Sequence, residues 1–357
     1  MKRVEDIHVS RLEPLSPPEA VKRELPASET VNRTVSEGRQ AVRWVLHKED
    51  PRLLVITGPC SVHDADLALD YARRLSALQA RYEDRLLIAM RVYFDKPRTT
   101  VGWRGFMNDP ELNGSNNLAG GLRQTRQLLL AINELGVPVA TEILDPFIPQ
   151  YLDDLLSWGA IGARTTESQT HRAMVSGLSV PVGFKNSTEG NVQLAVDAIA
   201  SSSQPHTFLG INQAGQAAVV YTEGNPDCHV ILRGGRAGPN YAESFVKEAG
   251  AKLRAAKLTP ALIVDCSHHN SGYDHRKQEA VWHDVLAQRA AGNDDLVGMM
   301  LESNIHEGKQ AMPKELSALE YGVSLTDPCV GWETTEKLLS DAYDALAGLR
   351  PQVAAER

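Results

Sequence analysis

LLVITGPCSVHD, residues 53–64, starts as an unbroken apolar run and ends in small and polar residues. LLVITG (53–58) shows no alternation of apolar and polar side chains, the pattern of a strand covered on both faces. From Asp64 to Tyr82 the period changes to that of an amphipathic helix. The same unit recurs along the chain. LLIAMRVYF (86–94) is followed, after a long loop, by a helical stretch near 121–135, and PVATEIL (138–144) leads to a short helix over 150–158. AIGAR (160–164) and PVGFKN (181–186) each have a helical partner behind them. HVILRGG (229–235) precedes a helix over 242–257, ALIVDCS (261–267) one over 277–291, and LVGMMLES (296–303) a terminal helix from Glu333. Eight strand–helix units predict an α/β fold, a (β/α)8 TIM barrel. A doubly wound open sheet is the competing arrangement.

Two segments stand outside this eightfold pattern. One is the N-terminal extension, residues 1–50, with a linker-like Pro-containing stretch over 12–29. The other is 207–222, where TFLGI and AAVVYT flank NQAGQ, a Gly-containing turn of a β-hairpin. Neither is needed to close a barrel. The expected division is an extension for oligomer contacts or regulation, then a catalytic barrel over 51–357 carrying an inserted hairpin.

The bulk properties narrow the function. The chain has 357 residues, 42% apolar and 23% charged, a soluble globular balance. A net charge of -8 argues against nucleic acid as a partner, because phosphate contacts need clustered Lys and Arg. No stretch approaches the ~20 apolar residues that span a bilayer, so no membrane is expected, and the N-terminus lacks a secretory apolar run. Cys60, Cys228, Cys266 and Cys329 lack CxxC spacing and read as reduced thiols of a cytoplasmic protein.

Barrel enzymes place their chemistry where strands end and βα loops begin. Those positions hold two sets of residues. Arg91, Lys96, Arg98, Arg164, Lys185 and Arg233 are cationic, and so many positive charges at one mouth imply anionic substrates with phosphate and carboxylate groups. No GxxxxGK[ST] or GxGxxG element is present, which favours small phosphorylated compounds over nucleotides. Cys60, His268, Glu302 and Asp327 form the second set. One thiolate, one imidazole and two carboxylates suit a divalent ion such as Mn, Fe, Co or Zn. Taken singly, each has a plainer reading: Cys60 as a small buried apolar group, His268 as a satisfied loop residue, Glu302 and Asp327 as caps or solvated acids. The arginines could pair with Glu142, Glu167 or Asp265. Convergence on one rim is what favours a site.

The motifs also resemble a known family. GPCSVHD (58–64), RVYFDKPRTTVGWRG (91–105), GARTTESQTHR (162–172), PVGFKN (181–186), LRGG (232–235), DCSHHNS (265–271) and ESNIHEG (302–308) are similar to those of the bacterial type I DAHP (3-deoxy-D-arabino-heptulosonate 7-phosphate) synthases, from about residue 10 to 345. The resemblance implies condensation of phosphoenolpyruvate with D-erythrose 4-phosphate at the head of the shikimate pathway. It implies a divalent metal on Cys60, His268, Glu302 and Asp327. Phosphoenolpyruvate would lie on Arg91, Ala163, Arg164, Lys185 and Arg233 beside His268. Lys96, Pro97, Arg98 and Thr99 would line the erythrose 4-phosphate site. Lys96 is the candidate proton donor, and Glu142 would orient the water or Lys185.

The family includes forms inhibited by tyrosine, phenylalanine or tryptophan. GINQAGQ (210–216) and ESNIHEG look most similar to the tyrosine-sensitive form. Gln150, Ser179, Phe208 and Gly210 would then lie near an effector pocket shared with a neighbouring subunit of a dimer or tetramer. The chain departs from the family pattern at FKNSTEG, at a GGRAGPNY loop one residue longer than usual, and at Asp95, where Glu is common. Rival readings are the sister synthase that uses arabinose 5-phosphate, a Schiff-base aldolase built on Lys185, and a silent sensor of an aromatic amino acid.

Overall fold

The computed structural model describes residues 4–98 and 102–348. The N-terminal segment holds α1 (Pro18–Glu24) and α2 (Glu29–Leu46). The chain then runs β1 (Leu53–Gly58), α3 (Ala65–Tyr82), β2 (Leu86–Arg91), α4 (Leu118–Glu134), β3 (Val139–Glu142) and α5 (Pro149–Leu152). It continues through β4 (Trp158–Ile161), α6 (Gln169–Val175), β5 (Val182–Lys185) and α7 (Gln193–Ser202) to the antiparallel pair β6 (Thr207–Ile211) and β7 (Ala217–Tyr221). The last part is β8 (Cys228–Leu232), α8 (Glu243–Ala255), β9 (Leu262–Asp265), α9 (His268–Ser271), α10 (Gln278–Ala290), β10 (Leu296–Glu302) and α11 (Trp332–Ala345). Among the described residues eight parallel strands close in the order β1-β10-β9-β8-β5-β4-β3-β2, which is the predicted TIM barrel, with the hairpin outside it.

Closure explains why the strands read as unbroken apolar runs. All six residues of β1 are buried, and so are all six of β2. Alternate positions serve two cores. Leu53, Val55, Leu86, Ile88 and Met90 join the layer between barrel and helices. Leu54, Ile56, Leu87, Ala89, Ala140, Trp158, Ile231 and Met300 fill the lumen. Helix starts are marked by side-chain caps: Asp64 accepts from Leu67 N at 2.9 Å, and Ser28 from Val31 N at 3.1 Å.

Two local differences from the sequence reading have physical causes. β4 begins at Trp158, two residues before AIGAR, because the indole is a lumen side chain rather than the end of a helix. The 12–29 stretch contains α1, started by Pro18 at a position where a missing N–H costs nothing. Helix α2 was not anticipated as a barrel part. Its Ala41, Val42, Val45 and Leu46 belong to the lumen cluster and seal the N-terminal end of the barrel. No helix among the described residues is long and apolar enough to cross a membrane.

Candidate active site

The site grows from the seam where β1 meets its two neighbours, β2 and β10. Gly58 closes β1 with φ +155°, and a Cβ there would lie 2.5 Å from the Arg91 carbonyl oxygen, so only glycine lets the backbones approach. Just beyond it, the carbonyls of Pro59 and Cys60 accept from Arg91 Nε and Nη2 at 3.0 and 3.2 Å. Arg91 Nη2 also donates to Glu302 Oε1 at 2.9 Å. Arg91 is 0% exposed. It therefore lies beneath the pocket floor, holding a carboxylate, while the other cations line the pocket itself.

Above it, one ligand atom each from Cys60, Glu302 and Asp327 lie within 4.8 Å of one another. The Cys60 sulfur accepts from Lys96 Nζ at 3.1 Å and from the Asp327 N–H at 3.4 Å, so it is presented as an acceptor. Burial, and then the charge of Glu302, push the Cys60 thiol up to about 11. A divalent cation reverses that bias, since a coordinating thiol deprotonates outright. Burial works to raise the Asp327 carboxyl, but Lys96, His268 and Arg91 together hold it below its usual value. A soft sulfur and two hard oxygens, buried and converging, fit a borderline divalent ion.

His268 stands beside the three, its Nε2 3.9 Å from Glu302 Oε1. Its Nδ1 faces Asp265 Oδ2 at 2.9 Å and Ser267 Oγ at 2.7 Å. A carboxylate behind a histidine fixes the ring and leaves the other nitrogen facing the site. The backbone at His268 is left-handed, φ +55°, a conformation that costs a non-glycine residue on the order of 1–3 kcal/mol. Burial opposes ionisation of Asp265, yet His268, Lys185 and Arg91 hold it well below the carboxylate range.

The adjoining cavity has a volume of about 480 Å³ and is lined by Lys96, Pro97, Arg98, Glu142, Ala163, Arg164, Lys185, Arg233, His268 and Asp327 among others. Lys185 is pinned to Asp265 at 3.1 Å. Arg164 donates to the Pro97 carbonyl at 3.1 Å. Arg233 donates to His269 Nδ1 at 2.6 Å and Tyr273 Oη at 3.1 Å. Arg98 is exposed and donates to the Trp103 carbonyl at 2.7 Å. Burial would lower the Lys96 ammonium, but Cys60 and Glu302 hold it above its ordinary value, so it stays charged. Thr99 lies outside the described residues. Sequence reading did not single out Thr188, Arg236, Tyr273 or Thr326, which also line the cavity. Arg236 follows LRGG by one residue and could have been found from the cation-rich rim; the others carry no such signal.

The four effector candidates lie away from that cavity. Phe208 and Gly210 are on β6, paired with Val220 and Ala218 of β7. Gln150 lies in the first turn of α5 and accepts from Gln213 in the hairpin turn at 2.8 Å. Ser179 lies near Asp153, just beyond α5, and its carbonyl accepts from Arg43 Nη2 at 3.2 Å. The N-terminal segment reaches the same place, since Glu19 N donates to the Gln213 carbonyl at 2.9 Å and Lys22 Nζ to its side chain at 3.2 Å.

Comparison with known proteins bears on what these parts do. The model of the family described as the DAHP synthetase I family matches residues 31–340. The chain is 51% identical over 343 residues to the Tyr-sensitive phospho-2-dehydro-3-deoxyheptonate aldolase of Escherichia coli strain K12, covering 96% of each chain. It is 48% identical over 346 residues to the Phe-sensitive enzyme of the same strain, covering 97% of this chain and 98% of that one. A solved phospho-2-dehydro-3-deoxyheptonate aldolase from Francisella tularensis SCHU S4 superposes with a TM-score of 0.92 at 44% identity, covering 94% of this chain and 98% of the other. Motifs, barrel and relatives agree: this chain belongs to the DAHP synthetase I family.

Proposed function

We propose that this enzyme condenses phosphoenolpyruvate with D-erythrose 4-phosphate and water, releasing phosphate and 3-deoxy-D-arabino-heptulosonate 7-phosphate, in the cytoplasm. The observation that carries the reading is the thiol–carboxylate cluster of Cys60, Glu302 and Asp327 at the edge of a cavity lined by Lys96, Arg98, Arg164, Lys185 and Arg233. Cys60, His268, Glu302 and Asp327 would hold one divalent ion (Mn, Fe, Co or Zn), which supplies Lewis-acid polarisation of a carbonyl oxygen.

The chain's own residues do the rest. Arg164, Lys185, Arg233 and the Ala163 backbone bind the phosphate and carboxylate of phosphoenolpyruvate, over a floor set by Arg91. Pro97, Arg98 and Thr99 grip the phosphorylated aldose. C3 of phosphoenolpyruvate then forms a bond to the aldehyde carbon, and Lys96 gives its proton to the aldehyde oxygen. Water, oriented by Glu142, adds at C2 and gives one proton back towards Lys96. The C2–O bond to phosphate then breaks as the new hydroxyl becomes the C2 ketone, its second proton leaving with the phosphate. Fixed cations next to these phosphates require little reorganisation during reaction.

Phosphate release that needs both substrates, stops in EDTA and returns with Mn supports this reading. Release that persists in EDTA, or that needs arabinose 5-phosphate instead, overturns it. Borohydride inactivation in the presence of substrate would point to a Schiff base on Lys185. We further assign tyrosine as the feedback inhibitor, bound near Gln150, Ser179, Phe208 and Gly210 in a homodimer or tetramer; the Tyr-sensitive relatives and the meeting of hairpin, α5 and N-terminal segment support it. Tyrosine, and neither phenylalanine nor tryptophan, should inhibit, and Phe208→Ala should relieve the inhibition.

A further inference from the structure

Tyr93, two residues beyond Arg91 on the same inward side of the chain, has no role so far. It is 0% exposed, and its hydroxyl has no hydrogen-bond partner among the described residues. A buried phenol normally finds a partner, because an unmet hydroxyl is costly. The ring itself is heavily used. The guanidinium carbon of Arg91 lies 3.4 Å from the ring centroid, Lys96 Nζ 5.6 Å and Lys185 Nζ 6.0 Å. All three fall within the range of attraction between a cation and the negative face of a ring.

Each of these cations has its own acidic partner. Arg91 holds Glu302 at 2.9 Å, Lys96 holds the Cys60 sulfur at 3.1 Å, and Lys185 holds Asp265 at 3.1 Å. The partners come from β10, the turn after β1, and β9, so the ring is the common neighbour of pairs contributed by several strands. Three like charges around one buried point repel one another, and solvent screens them little, since Arg91 is 0%, Lys185 3% and Lys96 9% exposed. An aromatic face attracts all three without adding a charge that would compete for Glu302, Cys60 or Asp265. A carboxylate in its place would capture one cation; an aliphatic side chain would hold none.

We propose that Tyr93 is a positioning residue: its ring face gathers Arg91, Lys96 and Lys185, and through them orients the metal-binding side chains Glu302 and Cys60 and the cationic floor of the anion pocket. This rests on the proposed function for the identity of the ligands, but the ring's role can be read from metal affinity alone. The burial that raises the phenol's pKa keeps it un-ionised, consistent with a part played by the ring rather than by the oxygen.

The test is a series at one position, with Mn(II) affinity measured by electron paramagnetic resonance of the free ion and the KM for phosphoenolpyruvate measured beside kcat. Tyr93→Phe keeps the ring and should bind Mn(II) within about twofold of the parent protein, and melt no lower, since it removes only an unpaired hydroxyl. Tyr93→Leu should weaken Mn(II) by about tenfold or more and raise KM more than it lowers kcat. Should the leucine variant fail to fold, Tyr93→pentafluorophenylalanine keeps the ring's shape and reverses the charge of its face. It should behave as leucine does. Equal Mn(II) affinity for the pentafluoro and Phe proteins, or a Phe protein as weak as the leucine one, overturns the proposal. If the parent protein releases no phosphate from the two substrates, the proposed function fails, and the Mn(II) series still decides the role of Tyr93.

Discussion

At the N-terminal end of the barrel, Leu54, Leu87 and Trp158 meet Val42, Val45 and Leu46 of α2 in a sealed apolar plug. At the C-terminal end the same set of strands finishes in Arg91, Lys185, Asp265 and Glu302, all buried and all charged. One end is held by area removed from water. The other is held by ion pairs whose desolvation consumes much of what their attraction returns. The contrast implies that the plug carries stability and that the mouth carries function at some cost in stability.

The largest effect should come from breaking one partner of a buried pair. Glu302→Ala leaves Arg91 with an uncompensated buried charge, which costs about 3–5 kcal/mol. Urea unfolding in EDTA should show that loss without any metal contribution, and turnover should vanish as well. Leu46→Ala at the plug should cost about 3 kcal/mol by opening a cavity. Its kcat and KM, measured well below the melting temperature, should stay as they are; a drop in kcat there would break the division between the two ends.

The plug also contains a polar group whose protonation state is legible. Trp158 Nε1 can only donate, and it lies 3.0 Å from His229 Nε2, so that nitrogen carries no proton. Burial pushes His229 down to about 4, with the Asp227 carbonyl and carboxylate opposing it. Above about pH 6.5 the histidine is neutral folded or unfolded and contributes no pH dependence. As pH falls from 6.5 to about 4, the unfolded chain takes up the proton and the folded one does not. Stability should therefore decline across that window, by about 3 kcal/mol. His229→Gln keeps an acceptor for the indole and should flatten the slope in denaturant midpoints. The smallest effect is expected at the start of the plug helix: Ser28→Ala removes the cap on Val31 N and should cost about 1 kcal/mol, read as a lower melting temperature.

The barrel strands were legible because burial on both faces leaves no polar residue to interrupt the run, and charged residues at their ends stood out against it. Cys60, Glu302 and Asp327 could be paired from the sequence only by assuming closure and the family resemblance, since residues 60 and 327 are 267 apart. Tyr93 was not legible. An aromatic residue inside RVYF reads as core, and nothing local reveals that its face meets side chains from β2 and β5 and from the loop beyond β2. The plug was hidden for a similar reason: α2 has an ordinary amphipathic pattern, and its partner is the end of a barrel formed later in the chain.

The seam beneath the cluster has a consequence for how the chain acquires its site. β1 and β10 are the first and last barrel strands, yet they lie side by side, with Gly58 opposite Glu302. An open sheet that has all its strands but has not joined its two edges keeps the cationic residues and leaves Cys60 apart from Glu302 and Asp327. Given the proposed ion site, tight uptake of a divalent ion would gauge ring closure, and a refolding chain should gain it in the step that unites its two extremities.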